Sequence, residues 1–300
     1  MRKDLIIGGA SNYTWDQLQY WVNSIKRSGF EGDIALVGTN YKKETIERLS
    51  QEGVLLSLYG TQQPNGDVTA PSNNAPHVER FFYLWNYLEK TTEDYRFVIT
   101  TDTRDVVFQT NPSIWLVDNL VTGVLYASNL VISSEGMRYK NEPWGNQNLL
   151  ESFGPYFHNM LKENMICNVG TIAGEFEYVK GLLSFIFHLS VNRPIPIVDQ
   201  AVFNFIINTP PFKMNTLFTT NTHNWAIQLG TTIGAVEAGS GDLGMMFKSD
   251  PSKYTEIYED EQPIIQDGIV LNPNREKYCI VHQYDRIPQL KNIMERMYES

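Results

Sequence analysis

From Leu5 to Leu58 the chain alternates short apolar runs with segments of helical spacing, the pattern of a parallel sheet with crossover helices. Leu5 to Ile7 reads as a short strand ending in Gly8 and Gly9. Thr14 with Gln17 forms a capping box, and Leu18, Trp21, Val22 and Ile25 fall at helical spacing before Gly29 closes the segment. A second strand over 33–37, a helix over 43–51 and a third strand over 54–58 complete the alternation. Between Gly60 and Pro76 the composition turns to Gly, Pro, Asn, Gln and Thr, a long polar connection that suits a lid. An amphipathic helix over 77–90, with Val78, Phe81, Phe82, Trp85 and Leu88 on one side, then feeds a strand ending at Asp102. Further strands are expected over 123–132 and 165–173, and helices over 175–190 and 198–207. No composition break marks a boundary. The expectation is one α/β domain over residues 1–300, with a donor half to about 110 and an acceptor half beyond it.

The 300 residues are 42% hydrophobic and 12% aromatic, ample for a large core. A net charge of −10 without a Lys/Arg block argues against nucleic acid, whose binding rests on clustered cations. A single nucleotide remains compatible, because a metal ion can neutralise its diphosphate. Cys167 and Cys279 lie in apolar surroundings without metal-finger spacing, which offers no disulfide framework and fits a reducing, cytoplasmic compartment. No window approaches about eighteen apolar residues, so no transmembrane segment is expected. Membrane-attached acceptors would require peripheral docking, for which no strongly basic amphipathic helix is visible.

The segment FVITTDTRDVVFQ sets two carboxylates, Asp102 and Asp105, in a tight turn between apolar runs. Carboxylates presented at a strand end can hold a hard divalent cation, Mg²⁺ or Mn²⁺. The alternative is a structural turn in which Asp102 caps the backbone and Arg104 pairs with Asp105. Gly8, Gly9 and Ala10 end the first strand, where small residues admit close approach of a base or ribose. The full dinucleotide fingerprint is missing, which leaves a hydride-transfer cofactor unsupported. The loops expected over 133–148 and 209–250 carry Tyr139, Trp144 and Trp225 among amides and hydroxyls. Such a mixture suits sugar rings on the acceptor side, although the first reading of Trp144 and Trp225 is ordinary packing, given the area such side chains bury. Asp199 opens the helix VDQAVFNF, where its first reading is an N-terminal cap.

In the order of four stretches the chain resembles the GT-A glycosyltransferases. These are the amino-terminal βαβ segment, TDTRDVVFQTNP at the DxD position, CNVGTIAGE followed by VDQAVFNF, and a late YCIVHQYDR. The resemblance implies a Rossmann-like, mixed but mainly parallel central sheet flanked by helices. It implies a cation held by Asp105, by Asp102 directly or through water, and by the late His282. Asp102 otherwise accepts from a ribose hydroxyl, and two residues rather than one separate the acidic pair. Arg80 is close to a position where the family carries a basic donor contact, and Arg104 and Arg286 are candidates for the same donor. Asn168 and Gly170, between a strand and a helix, would let the backbone approach the sugar. Asp199, with Gln200 beside it, would serve as general base on the acceptor or contact sugar hydroxyls, according to stereochemistry. Glu175 belongs at a helix start for dipole reasons.

The implied activity is metal-dependent transfer of a sugar from a nucleoside-diphosphate sugar, UDP-sugar favoured, to a hydroxyl of a glycan or glycoconjugate. One rival is a nucleotidyltransferase that builds sugar nucleotides, which should carry a basic Gly-rich loop after the first strand; GGASNYTWDQ has no Lys or Arg. The other is a non-catalytic sugar-binding or scaffold protein on the same fold.

Overall fold

The computed structural model describes residues 2–71, 75–124, 126–191, 193, 195 and 197–299. Its amino-terminal part forms the expected alternation: β1 (Lys3–Gly9), α1 (Trp15–Arg27), β2 (Asp33–Gly38), α2 (Lys43–Gln51) and β3 (Leu55–Leu58), with the three strands parallel. The expected capping box starts α1, where the Thr14 amide donates to Gln17 Oε1 at 3.0 Å. A small hairpin, β4 (Thr61–Gln62) with β5 (Val68–Thr69), occupies part of the polar connection expected as a lid. Residues 72–74 of that connection lie outside the described residues. Next come α3 (Pro76–Lys90), β6 (Tyr95–Thr101), β7 (Val106–Phe108), α4 (Pro112–Asn119), β8 (Leu130–Arg138), α5 (Pro143–Leu161) and β9 (Met165–Glu175). They are followed by α6 (Phe176–Ser190), α7 (Asp199–Ile207) and β10 (Thr216–Thr219).

The central sheet runs β10-β8-β9-β6-β1-β2-β3. It is mixed and mainly parallel, since β9 alone runs antiparallel to its neighbours β6 and β8. Helices cover both faces, which is why β1 reads as an unbroken apolar run. Leu5 and Ile7 pack with Val78 and Phe81 of α3, Leu182 of α6 and Val202 of α7. Ile6 faces the other way, toward Trp21 of α1, Leu49 of α2 and Leu116 of α4. Each such buried side chain contributes roughly 1.5–3 kcal/mol.

The chain then continues through β11 (Ala226–Gln228), α8 (Ile233–Ala238), α9 (Gly241–Phe247), α10 (Pro251–Tyr254), β12 (Ile264–Gln266), β13 (Ile269–Leu271), β14 (Ile280–His282) and α11 (Pro288–Tyr298). A second sheet, β11-β14-β7, sets Gln228 opposite His282 and His282 opposite Val106. This small sheet ties the late segment to the acidic turn.

Three expectations require correction. The strand expected over 123–132 begins at Leu130 and includes Ser133, Ser134 and Glu135, which looked like loop residues but are buried. Their polarity is absorbed by partners within the sheet, as where Ser133 Oγ lies 3.1 Å from Thr171 Oγ1. Asn168 and Gly170 lie inside β9 rather than between a strand and a helix. The region 209–250 is not one loop, because it contributes β10, β11, α8 and α9.

Candidate functional site

Strand β6 ends at Thr101, so Asp102 emerges at the carboxyl edge of the sheet, and its amide donates to the Gly170 carbonyl on β9 at 2.9 Å. Asp105 precedes β7, where the Gln283 amide donates to its carbonyl at 2.7 Å. That bond and the pairing of His282 with Val106 bring the imidazole over the turn. His282 Nε2 lies 3.5 Å from Asp102 Oδ2 and 3.7 Å from Asp105 Oδ1. One ligand atom from each of the three residues falls within 4.8 Å of the others.

Arg80, on α3, donates to Asp102 Oδ1 and, at 3.0 Å, to Asp199 Oδ2. Each Asp102 oxygen therefore has its own neighbour, Arg80 for one and His282 for the other. Burial alone would raise the Asp102 carboxyl, but Arg80 and His282 outweigh it and hold the group well below the usual range. Asp105 moves upward, through burial first and through the charge of Asp102, with His282 opposing. Burial would lower His282, yet the two aspartates outweigh it and favour the imidazolium.

This donor set fits a divalent cation. Two carboxylates and an imidazole converge, and among the described residues the imidazole is the one cationic group within ion-pair distance of Asp105. Space is kept open by Gly170, where a Cβ would come 2.6 Å from His282 Cε1 and 2.9 Å from Asp102 Oδ2. Carboxylate oxygen with one imidazole nitrogen suits Mn²⁺ or Mg²⁺.

Two adjoining cavities share this centre. One, of about 290 Å³, is lined by Gly9, Ala10, Tyr13, Tyr83, Arg104 and Asp105. The other, of about 420 Å³, is lined by Glu135, Trp144, Asn168, Gly170, Asp199 and Gln200. Arg80, Asp102, His282 and Arg286 border both. Asn168 accepts the Gly170 amide at 2.7 Å and donates to Glu135 Oε1 at 2.7 Å, while Gln200 Nε2 donates to the same oxygen at 3.2 Å.

Several expected residues stand elsewhere. Trp225 is fully buried and packs on Trp115 with ring centroids 4.8 Å apart, so it is a core residue and not an acceptor-side one. Trp144, 40% exposed, does line the larger cavity. Gly8 lines neither cavity; a Cβ there would meet Thr103 Cγ2 at 2.2 Å, so its role is to admit the acidic turn. Asp199 makes no cap, since Val198 precedes the helix as N-cap and the carboxylate turns to Arg80. Arg104 does not pair with Asp105 but lies 3.6 Å from Asp285. Glu175 is the N-cap of α6, without a side-chain capping bond.

Sequence reading missed Glu135, Tyr13 and Gln228. Glu135 had a signal, a lone acid in the apolar stretch LVISSEGM, and a charge in a buried strand is a site candidate. It is 7% exposed, and burial first, then Glu142, push its carboxyl up to about 7 against the pull of Asn168 and Gln200. Tyr13 and Gln228 had no sequence signal, because only the tertiary arrangement brings them to the turn.

The architecture matches the solved structure of WbbM, described as a bifunctional glycosyltransferase, with a TM-score of 0.55 at 12% identity over 98% of this chain and 52% of that one. This is the GT-A fold of glycosyltransferases. Other GT-A matches are the glycosyltransferase GlyE of Streptococcus pneumoniae TIGR4 and the galactosyltransferase LgtC in complex with donor and acceptor sugar analogs. GlyE gives 14% identity, 94% and 55% coverage of the two chains and a TM-score of 0.46. LgtC gives 12%, 93% and 86%, and 0.48. The chain spans about half the length of the WbbM and GlyE chains it matches. At such identities the likeness concerns the fold. No protein-family model and no curated protein matches the sequence.

Proposed function

We propose that the chain is a metal-dependent glycosyltransferase that moves a sugar from a nucleoside-diphosphate sugar, UDP-sugar favoured, to a hydroxyl of a glycan or glycoconjugate. The observation that carries this reading is the convergence of Asp102, Asp105 and His282 where two cavities meet, at the carboxyl edge of a GT-A sheet. Asp105, His282 and one oxygen of Asp102 would hold Mn²⁺ or Mg²⁺. When bound, the ion would supply positive charge against the leaving diphosphate.

The smaller cavity is the donor side in this reading. Gly9 and Ala10 line it without bulky side chains, and the half-buried Tyr13 offers a ring face to a base. Arg286, 3.7 Å from its nearest carboxylate, and Arg104 are cations available to phosphate oxygens. The larger cavity takes the transferred sugar and the acceptor, with Trp144, Asn168 and Gln200 on its wall. The two cavities support one catalytic domain with a donor half to about residue 110 and an acceptor half after it, joined by the late segment that carries His282 and Arg286.

Asp199 is buried and engaged by Arg80, which favours orienting sugar hydroxyls over proton abstraction. A carboxyl that titrates near neutrality is better matched to take an acceptor proton, and Glu135 is such a group on the cavity wall. The first strand ends in a loop without Lys or Arg, which speaks against the nucleotidyltransferase.

The test is calorimetry of UDP and UDP-sugars with Mn²⁺ on the wild type and on Asp105→Ala. Loss of metal-dependent binding in a folded variant is expected. Wild-type donor affinity in Asp105→Ala would overturn the assignment.

A further inference from the structure

We infer that Gln228 is a positioning residue for the acidic centre, holding His282 with its proton on Nδ1 so that the Nε2 lone pair is left for a divalent cation. The inference rests on the metal reading above and adds to it a residue that touches no donor.

Strand register sets Gln228 beside His282, and both side chains are buried. His282 Nδ1 lies 2.6 Å from Gln228 Oε1. A carbonyl oxygen only accepts, so Nδ1 carries the hydrogen. The amide orientation is set from its far side, where Nε2 donates to Ser133 Oγ at 2.6 Å and to Thr171 Oγ1 at 2.8 Å. Both amide hydrogens are thereby used, and the two hydroxyls remain 3.1 Å apart with a hydrogen to share. Turning the amide over would leave one of its hydrogens without an acceptor. It would also draw both hydroxyl hydrogens to Oε1 and empty the Ser133–Thr171 contact.

The consequence reaches the acidic turn. With the Nδ1 hydrogen held by Gln228, Nε2 is the nitrogen that gives up its hydrogen when the ring becomes neutral, and a nitrogen that bears hydrogen cannot ligate. Ser133 lies on β8 and Thr171 on β9, so the central sheet anchors the amide that orients a ligand of the small sheet. Outer partners of this kind set ring orientation and ligand basicity.

Two readouts test this on the full chain: Mn²⁺ alone, titrated by the spin resonance of the free ion, and long-range ¹H–¹⁵N spectra of His282 in metal-free protein at alkaline pH. Gln228→Leu should weaken Mn²⁺ binding about 10–100-fold and release the ring into mixed tautomers. Gln228→Glu still accepts from Nδ1 and should keep both the tautomer and most of the affinity, so that its contrast with the leucine variant reads the acceptor oxygen. Should the leucine variant fail to fold, Ser133→Ala with Thr171→Val frees the amide and is expected to lower the affinity likewise. Wild-type Mn²⁺ affinity in folded Gln228→Leu, or a neutral ring with its hydrogen on Nε2 in the wild type, would overturn the inference. A wild type with Nδ1 protonated but no Mn²⁺ binding would uphold the hold on the ring and overturn the metal reading instead.

Discussion

Arg80 spans Asp102 and Asp199, donating to one with each of its terminal nitrogens, and so links the acidic turn to the first residue of α7. The bridge keeps two carboxylates compatible with folding at the junction of the two cavities.

Removing Arg80 should therefore cost stability as well as activity. Arg80→Ala leaves the buried Asp199 uncompensated, and the expected loss is about 3 kcal/mol in chemical denaturation. Adding Asp199→Asn should restore a large share of it. If the two substitutions simply add, Asp199 is not the group that Arg80 compensates.

Glu135 predicts a pH dependence. Its folded carboxyl is raised from 4.5 to about 7, so the unfolded chain releases this proton first. Its contribution is fully present below pH 4.5 and is lost as pH rises to 7, on the order of 3 kcal/mol in all. Stability of the wild type relative to Glu135→Gln should fall across that window. A flat difference between pH 4.5 and 8 would refute the raised carboxyl.

Gly170 lies outside the left-handed region of the backbone, so alanine there meets only a shortage of space. Gly170→Ala should weaken Mn²⁺ binding by more than about tenfold and lower stability by about 1–3 kcal/mol, the cost of crowding a packed site. Unchanged Mn²⁺ affinity would mean that the space above Gly170 is not where the cation sits.

The two tryptophans should separate cleanly. Trp144→Ala is expected to raise the KM for acceptor with little change in melting temperature. Trp225→Ala, in the core, should cost about 3–5 kcal/mol and alter the kinetics only through loss of folded protein. An acceptor KM effect in stable Trp225→Phe would contradict its placement in the core.

Local pattern was enough to read α1, α2 and the parallel strands β1 to β3 from the sequence, because period and capping residues are local properties. It also located Asp102 and Asp105, since two acids between apolar runs must emerge at a strand edge. Strand β8 was misplaced because Ser133 and Glu135 find their partners on β9 and α7, which no window along the chain displays. Trp225 was misassigned for a related reason, as an aromatic among polar residues gives no sign of which face packing will cover. What the sequence alone determined was the kind of sheet and the acids at its edge. The tertiary structure decided the company those acids keep: Arg80 on Asp102, His282 delivered by β14, and Gln228 behind the imidazole. These pairings depend on register between distant strands, and register is set by packing across the sheet.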